Sequence, residues 1–477
     1  MNAALRNVLG FTVALVPLAS FAAEISEPEA KRIEGAISSS LPAAMRKAGA
    51  VTVAPSSDHF DVTLDLAGLL AKSTAPWTVK EVTPIVHALT SGADGLWDFS
   101  TQGSFKLATE LLAANRTSAF QLSIGELRDK GKFDPRIPFV READISVKDV
   151  MSTMRSSQDT IKAGIKDLSV KMRSTDVRAG VLDVVSDYAG SGLAQTFGTF
   201  PNPEVKITGE TLEGQLSARS FDVAGIAKLM AFWRVEGRPQ DIKSLKPEEL
   251  KELSSIVGTH KPFVDGFGGK TMISGVRINS SGKTFMVEKL AYDWSFEDMA
   301  KDGAVVFGAT AYNPSVTPGF WPAGLEKALP KEMAVHARYF GFKFEPVWEA
   351  LSKPDMATRD TDIRKVMLPD GRVTMQFSNT YARSEVYDFS LEGSLFMRPG
   401  RDDDQSEADL TITAKDFDKT VKFLQDNSKT VPIFGQASFF ALMAKGLGKT
   451  QPDGSMLWNV KVDERGKITI NGQPLPV

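Results

Sequence analysis

Few side chains in this chain have the types and spacing that chemistry requires. There is no cysteine among the 477 residues, which excludes thiolate metal sites, thiol nucleophiles, iron–sulfur ligation and disulfide stapling. The four histidines, His59, His87, His260 and His336, are scattered, and no H-x-x-x-H or H-E-x-x-H spacing aims two imidazoles at one cation. Asp402, Asp403 and Asp404 lack the alternating spacing and turn glycine of a calcium loop; beside Arg398 and Arg401 they read as a solvated loop. No metal or other cofactor is expected. Gly282-Lys283-Thr284 and Gly448-Lys449-Thr450 match the end of a phosphate-binding loop, but Arg277 and Met443 stand where its first glycine belongs. Gly266-Phe267-Gly268-Gly269 likewise has Thr271 where a dinucleotide loop needs glycine.

Ser280-Ser281-Gly282-Lys283 fits S-x-x-K, in which a lysine activates a serine. Its place between two alternating runs makes it the tip of a hairpin, and no G-x-S-x-G occurs elsewhere. No catalytic residue is assigned. What remains is aromatic: Trp294, Phe296, Phe307, Phe320, Trp321, Tyr339, Phe340, Phe342 and Phe344 crowd between 290 and 350. Such residues ordinarily fill a sheet core. On a strand, though, the neighbours Tyr339 and Phe340 must point to opposite faces, so an apolar face beyond a simple core is expected. Trp294, Phe296, Trp321, Phe340 and Phe342 are the expected contacts of an apolar ligand.

The elements that must carry these residues are mostly strands. Phe60, Val62, Leu64 and Leu66 alternate, as do Phe120, Leu122 and Ile124. Ile165 and Leu168 lead into Val170 and Met172 with one break in phase. Leu290 to Phe296, Val305 to Ala311, Val373 to Phe377 and Met456 to Val462 alternate too. Turn signals stand at Ser281-Gly282, Pro369-Asp370-Gly371 and Arg465-Gly466. Helices are predicted over 24–50, 223–233, 247–256, 347–351, 419–425 and 436–445, with Asp222 and Asp418 at N-cap positions. The predicted class is α+β, with large, mainly antiparallel sheets and interspersed helices. Hydrophobic residues make up 42% and charged residues 24%, ordinary globular values, and the net charge of −3 gives no pull toward nucleic acid.

The sequence echoes itself. Ala218-Arg-Ser-Phe-Asp222 and Ala414-Lys-Asp-Phe-Asp418 each follow a strand and open a helix. A second helix and then a hairpin follow in both places, Val276–Lys283 and Val460–Lys467. Two related strand–helix–helix–hairpin units are expected. The N-terminus has the three parts of a secretory signal: Arg6, an apolar run from Val8 to Leu18, and small Ser20 and Ala22 before a cleavage site after about Ala22. Expected boundaries are a signal peptide over 1–22, a helical leader over 23–55, a first β-rich lobe over 56–290 and a second over 291–477. No transmembrane span is expected after cleavage, and the expected location is periplasmic.

The closing stretch Gly466-Lys-Ile-Thr-Ile-Asn-Gly-Gln-Pro-Leu-Pro476 resembles the final hairpin of uncharacterised proteins of the Gram-negative envelope. Leu329–Val335, leading into a strand and the Phe344–Leu351 helix, resembles alphaproteobacterial members known only as domains of unknown function. A more distant likeness is to AsmA-type envelope proteins. That likeness implies β-sheet grooves linked with lipid traffic and outer-membrane assembly, and carries over no catalytic residue. The expectation is a non-enzymatic periplasmic envelope protein that binds lipid or another apolar ligand along a β-sheet groove. A structural adaptor that binds an envelope protein, and an unrecognised hydrolase, are the alternatives.

Overall fold

The structure, a computed structural model, describes residues 25–39, 49–65, 67, 77–92, 95–113, 116–137, 139–156, 159–199, 204–233, 238–239, 242–317, 322, 324–353, 362–398 and 406–475. The expected signal peptide over 1–22, Trp321 and the Asp402–Asp404 run lie outside them. Strand makes up 59% and helix 21%, the α+β class with large antiparallel sheets. The chain forms two compact units, Met1–Phe267 with Trp348–Thr361, and Gly268–Val347 with Asp362–Val477.

The first unit opens with α1 (Glu27–Ser39) and the short strands β1 (Val51–Pro55), β2 (Phe60–Leu64), β3 (Trp77–Val82) and β4 (Ile85–Ser91). Six long strands follow: β5 (Trp97–Ala113), β6 (Arg116–Asp134), β7 (Phe139–Arg155), β8 (Asp159–Arg178), β9 (Val181–Thr199) and β10 (Val205–Asp222). They pair as an antiparallel meander, β1–β2–β4–β5–β6–β7–β8–β9–β10, with β3 beside the other end of β5. A strand like β8, with 20 residues, reaches about 65 Å. Helices α2 (Val223–Trp233) and α3 (Pro247–His260) follow.

One irregularity runs across five of these strands. On β5 the step from Gly103 to Phe105 spans two residues, while the matching step on β6, from Leu127 to Ile124, spans three. The same three-residue step recurs from Val147 to Val150 and from Leu168 to Ile165. It appears again from Gly190 to Leu193 and from Leu212 to Gly209. Asp149 and Gly192 hold positive φ there (52° and 65°). An extra residue at one level bends a strand and adds twist. Because every strand from β6 to β10 carries it, apolar side chains stay on one face throughout. This is the break in phase between Ile165 and Leu168.

The second unit holds β11 (Gly266–Ser280, whose first two residues count with the first unit), β12 (Lys283–Glu297), β13 (Asp302–Val316) and β14 (Glu332–Lys343). After α4 (Phe344–Leu351, whose residues from Trp348 on count with the first unit) and α5 (Ile363–Met367) come β15 (Val373–Arg383), β16 (Asp388–Met397) and β17 (Glu407–Lys415). Helices α6 (Phe417–Asp426) and α7 (Ile433–Leu447) precede β18 (Lys449–Thr450), β19 (Met456–Val462), β20 (Ile468–Ile470) and β21 (Gln473–Pro474). The antiparallel order is β12–β13–β14–β15–β16–β17–β19–β20–β21. Ser281 and Gly282, both at positive φ, make the two-residue turn between β11 and β12. Ser280-x-x-Lys283 is therefore a hairpin turn.

Buried clusters lie where helices meet sheet and where helices meet each other. Ala30, Ile33 and Ile37 of α1 pack on Val51, Phe60, Leu89 and Trp97. Phe232, Leu253, Val257 and Phe263 hold α2 to α3, with Trp348 against Phe263. Ala414, Phe417, Val421, Met456 and Trp458 seat α6 on the sheet of the second unit.

The two expected caps differ. Asp222 Oδ1 accepts the Gly225 N–H at 2.8 Å, and its Oδ2 lies 2.9 Å from His260 Nδ1. At α6 the N-cap position falls two residues earlier than expected, on Asp416, which sits at φ 49° without a side-chain cap bond. Asp418 lies in the first turn and takes Lys445 as its partner.

Candidate functional site

The strand registers sort side chains by polarity, because directly paired residues share a face. In the first unit one row across β5 to β10 reads Gly103, Leu127, Val147, Leu168, Gly190, Leu212. One residue over, on the reverse face, the row reads Gln102, Arg128, Ser146, Ser169, Ala189, Glu213. Across β6 to β8 the same apolar face continues through Phe120, Met154, Ile161 and through Ile124, Val150, Ile165. The reverse face carries cross-strand ion pairs, such as Lys148 with Glu126 at 2.9 Å and Arg173 with Asp187 at 3.0 Å. Exposed pairs of this kind add only tenths of a kcal/mol each and mark that face as wet.

The second unit repeats the pattern. Trp294, Phe307, Ala337, Phe377, Gly393, Leu410, Val460 and Ile470 form one row from β12 to β20. The adjoining row is Ser295, Val306, Arg338, Gln376, Ser394, Asp409, Lys461, Thr469. At the β19 end, Val460 and Ile470 pack against the cluster beneath α6. At the β13 end, Phe307 is 46% exposed. In the first unit, the middle of β6 to β8 (Leu122, Ile124, Val150, Ile165, Leu168) belongs to none of the buried clusters among the described residues.

The five aromatic candidates can now be placed. Trp294 and Phe296 lie on this apolar face, their rings 6.3 Å apart. Phe342 is paired with Gly303, two residues from Val305, and so joins them. Gly341, at φ 109°, is the extra residue that brings it there. Phe340 is paired with buried Ala304 and sits on the reverse face, opposite in sense to Tyr339. Trp321 lies outside the described residues.

Sequence reasoning placed its candidates only in the second unit and missed the larger face of the first. It also missed three polar side chains set into that face. Asp129 stands between Leu127 and Gly131 in the apolar phase, and Thr109 is paired with Phe120. His87 shares the face of Leu89, its ring 6.1 Å from Phe99. Asp129 Oδ1, Thr109 Oγ1 and His87 Nδ1 are buried without a hydrogen-bond partner among the described residues. The available signal was a polar residue at an apolar position of the alternation.

Burial pushes the Asp129 carboxyl up to about 6, and burial pushes the His87 imidazole down. For Asp129 the folded chain holds its proton above the ordinary value of 3.8. Its contribution to stability is therefore fully present below about 4 and lost as the pH rises through about 6. The two-unit shift, discounted for partial exposure, makes ionised Asp129 cost on the order of 2 kcal/mol at neutral pH. Asp129→Asn is expected to raise stability by about 1–2 kcal/mol at pH 7.5 and by nothing at pH 4, read by denaturant melts at both. An equal gain at both pH values would contradict this. His87 runs the other way, destabilising as the pH falls below its ordinary 6.5.

The remaining histidines are tied into local structure. His260 bridges Asp222 and Lys228 Nζ (3.1 Å), His59 lies 2.7 Å from Asp58 and 3.1 Å from Asp61, and the His336 ring rests beside Gly308. No group of three metal-ligating side chains occurs among the described residues, and no described helix is long and apolar enough to cross a membrane. The chain matches no protein-family model, no curated protein and no solved structure.

Proposed function

We propose that this chain is an exported, non-enzymatic envelope protein that binds the acyl chains of lipids along the apolar faces of its sheets. The observation that carries the reading is the row-by-row opposition of polarity: six strands of 17–20 residues present side chains of Leu, Ile, Val, Phe and Met on one face and charged side chains on the other. An antiparallel sheet normally covers its apolar face with a second layer. The middle of this face lies outside the helix-covered clusters, half-buried at Leu122, Ile124, Val150, Ile165 and Leu168 and buried at Phe105, Leu107 and Val147, and we read it as the apolar lining of a groove that calls for an occupant. The strands reach about 55–65 Å, several times the ~15 Å of hydrocarbon in one bilayer leaflet, which gives chains room to lie end to end along them. The signal-like residues 1–22 and the resemblance to AsmA-type envelope proteins support the periplasm as the place of work.

Native mass spectrometry of the purified chain is expected to show co-purified lipid, and a fluorescent fatty acid is expected to bind once that lipid is removed. A lipid-free spectrum together with no fluorescent binding would sink the proposal.

A further inference from the structure

The most exposed apolar surface in the second unit is not on a sheet. Helix α7 draws its first twelve residues from a run of fourteen uncharged residues, 431–444, and carries Lys445 in its last turn. Its inner side is tied down: Phe434 meets Phe423 with rings 6.1 Å apart, Ser438 is buried, and the Ala444 carbonyl accepts the Trp458 indole N–H at 2.7 Å. Its outer arc carries Ile433 (65% exposed), Phe439 (60%), Phe440 (65%), Leu442 (47%) and Met443 (51%). The fold does not demand this. Helix α3 holds the matching place in the order of elements, second α-helix after a strand, and exposes Glu248, Lys251, Glu252 and Ser255.

We infer that α7 is a docking helix that seats the second unit on an anionic lipid bilayer. At 15 residues it is about 22 Å long, too short to span the ~30 Å hydrocarbon core but suited to lying in the interface with its outer arc sunk among the acyl chains. The arc is flanked by exposed cations: Lys429 precedes it and Lys449 follows it, and neither forms an ion pair among the described residues, whereas Lys445 is held by Asp418. Lysines beyond both ends of a helix whose outer arc is apolar complement lipid phosphates, and each adds attraction that salt screens. The occupant is therefore a charged lipid surface rather than a second copy or a partner groove.

The test is co-flotation of the chain lacking residues 1–22 with vesicles containing about one-third phosphatidylglycerol, against vesicles of phosphatidylcholine alone. Phe439→Glu with Phe440→Glu is expected to cut partition into the anionic vesicles at least about tenfold. Both side chains are exposed, so circular dichroism and thermal melts should not change. Lys429→Glu with Lys449→Glu is expected to remove the preference for anionic vesicles. Carboxylates on the β6–β8 face, which would block acyl binding, should leave flotation intact, so this inference and the acyl-binding reading fail separately. Wild-type chain that stays out of both vesicle types overturns the inference. So does a light-scattering dimer that the double Phe variant turns into monomer while vesicle partition is unchanged.

Discussion

Replacing Ile124 and Leu168 with glutamate is expected to abolish binding of a fluorescent fatty acid while leaving the secondary structure in place. Both side chains lie on the apolar face, on β6 and β8, and both are half-buried rather than part of a buried cluster. A carboxylate there can stay hydrated in the ligand-free chain, so the fold tolerates it. Once an acyl chain lies across it, the carboxylate loses water and gains no partner. The two together should weaken binding by a factor of about 100 or more. Ser169→Glu, one residue along β8 on the wet face, is the matched control and should change affinity by less than about twofold. A double variant that binds like wild type would mean that the ligand lies elsewhere.

Phe232→Ala is expected to cost about 3–5 kcal/mol, the largest stability loss of any single change considered. The ring is 1% exposed, lies 4.9 Å from the Trp233 ring in an edge-to-face contact, and takes the Arg238 guanidinium 3.9 Å above its centre. Arg238 in turn reaches Glu249, Glu252 and the Phe232 carbonyl, so loss of the ring also removes the surface on which the guanidinium that staples α2 to α3 is packed. Denaturant unfolding followed by circular dichroism and Trp fluorescence reads the loss. A cost under about 1 kcal/mol would show that the helix pair is not held together through this ring.

The alternation of apolar and polar residues announced the strands, because period two is the direct imprint of a two-faced sheet. Even the break between Ile165 and Leu168 was visible, but its meaning was not. A slipped phase on one strand reads as an irregularity, and only pairing shows that β6 to β10 slip together. The same gap explains the aromatic candidates. Tyr339 and Phe340 were rightly expected on opposite faces, yet nothing local tells that an extra residue at Gly341 moves Phe342 across. Asp129 shows the reverse case: its type looked like surface, and only its phase between Leu127 and Gly131 placed it inside. The cap at α6 went astray by two residues because Asp416 and Asp418 are both capping types, and backbone geometry rather than composition chose between them.

The most direct measurement of acyl binding is light-induced crosslinking in intact cells from a photoreactive residue placed at Val170 or at Lys171. These neighbours on β8 face opposite ways: Val170 is paired with Ile145 and Tyr188, Lys171 with Asp144 and Asp187. Mass spectrometry of the recovered chain should show added phospholipid or fatty-acyl mass from position 170 and none from position 171. Lipid mass from both positions alike, or protein adducts alone from position 170, would contradict the assignment of this face to lipid.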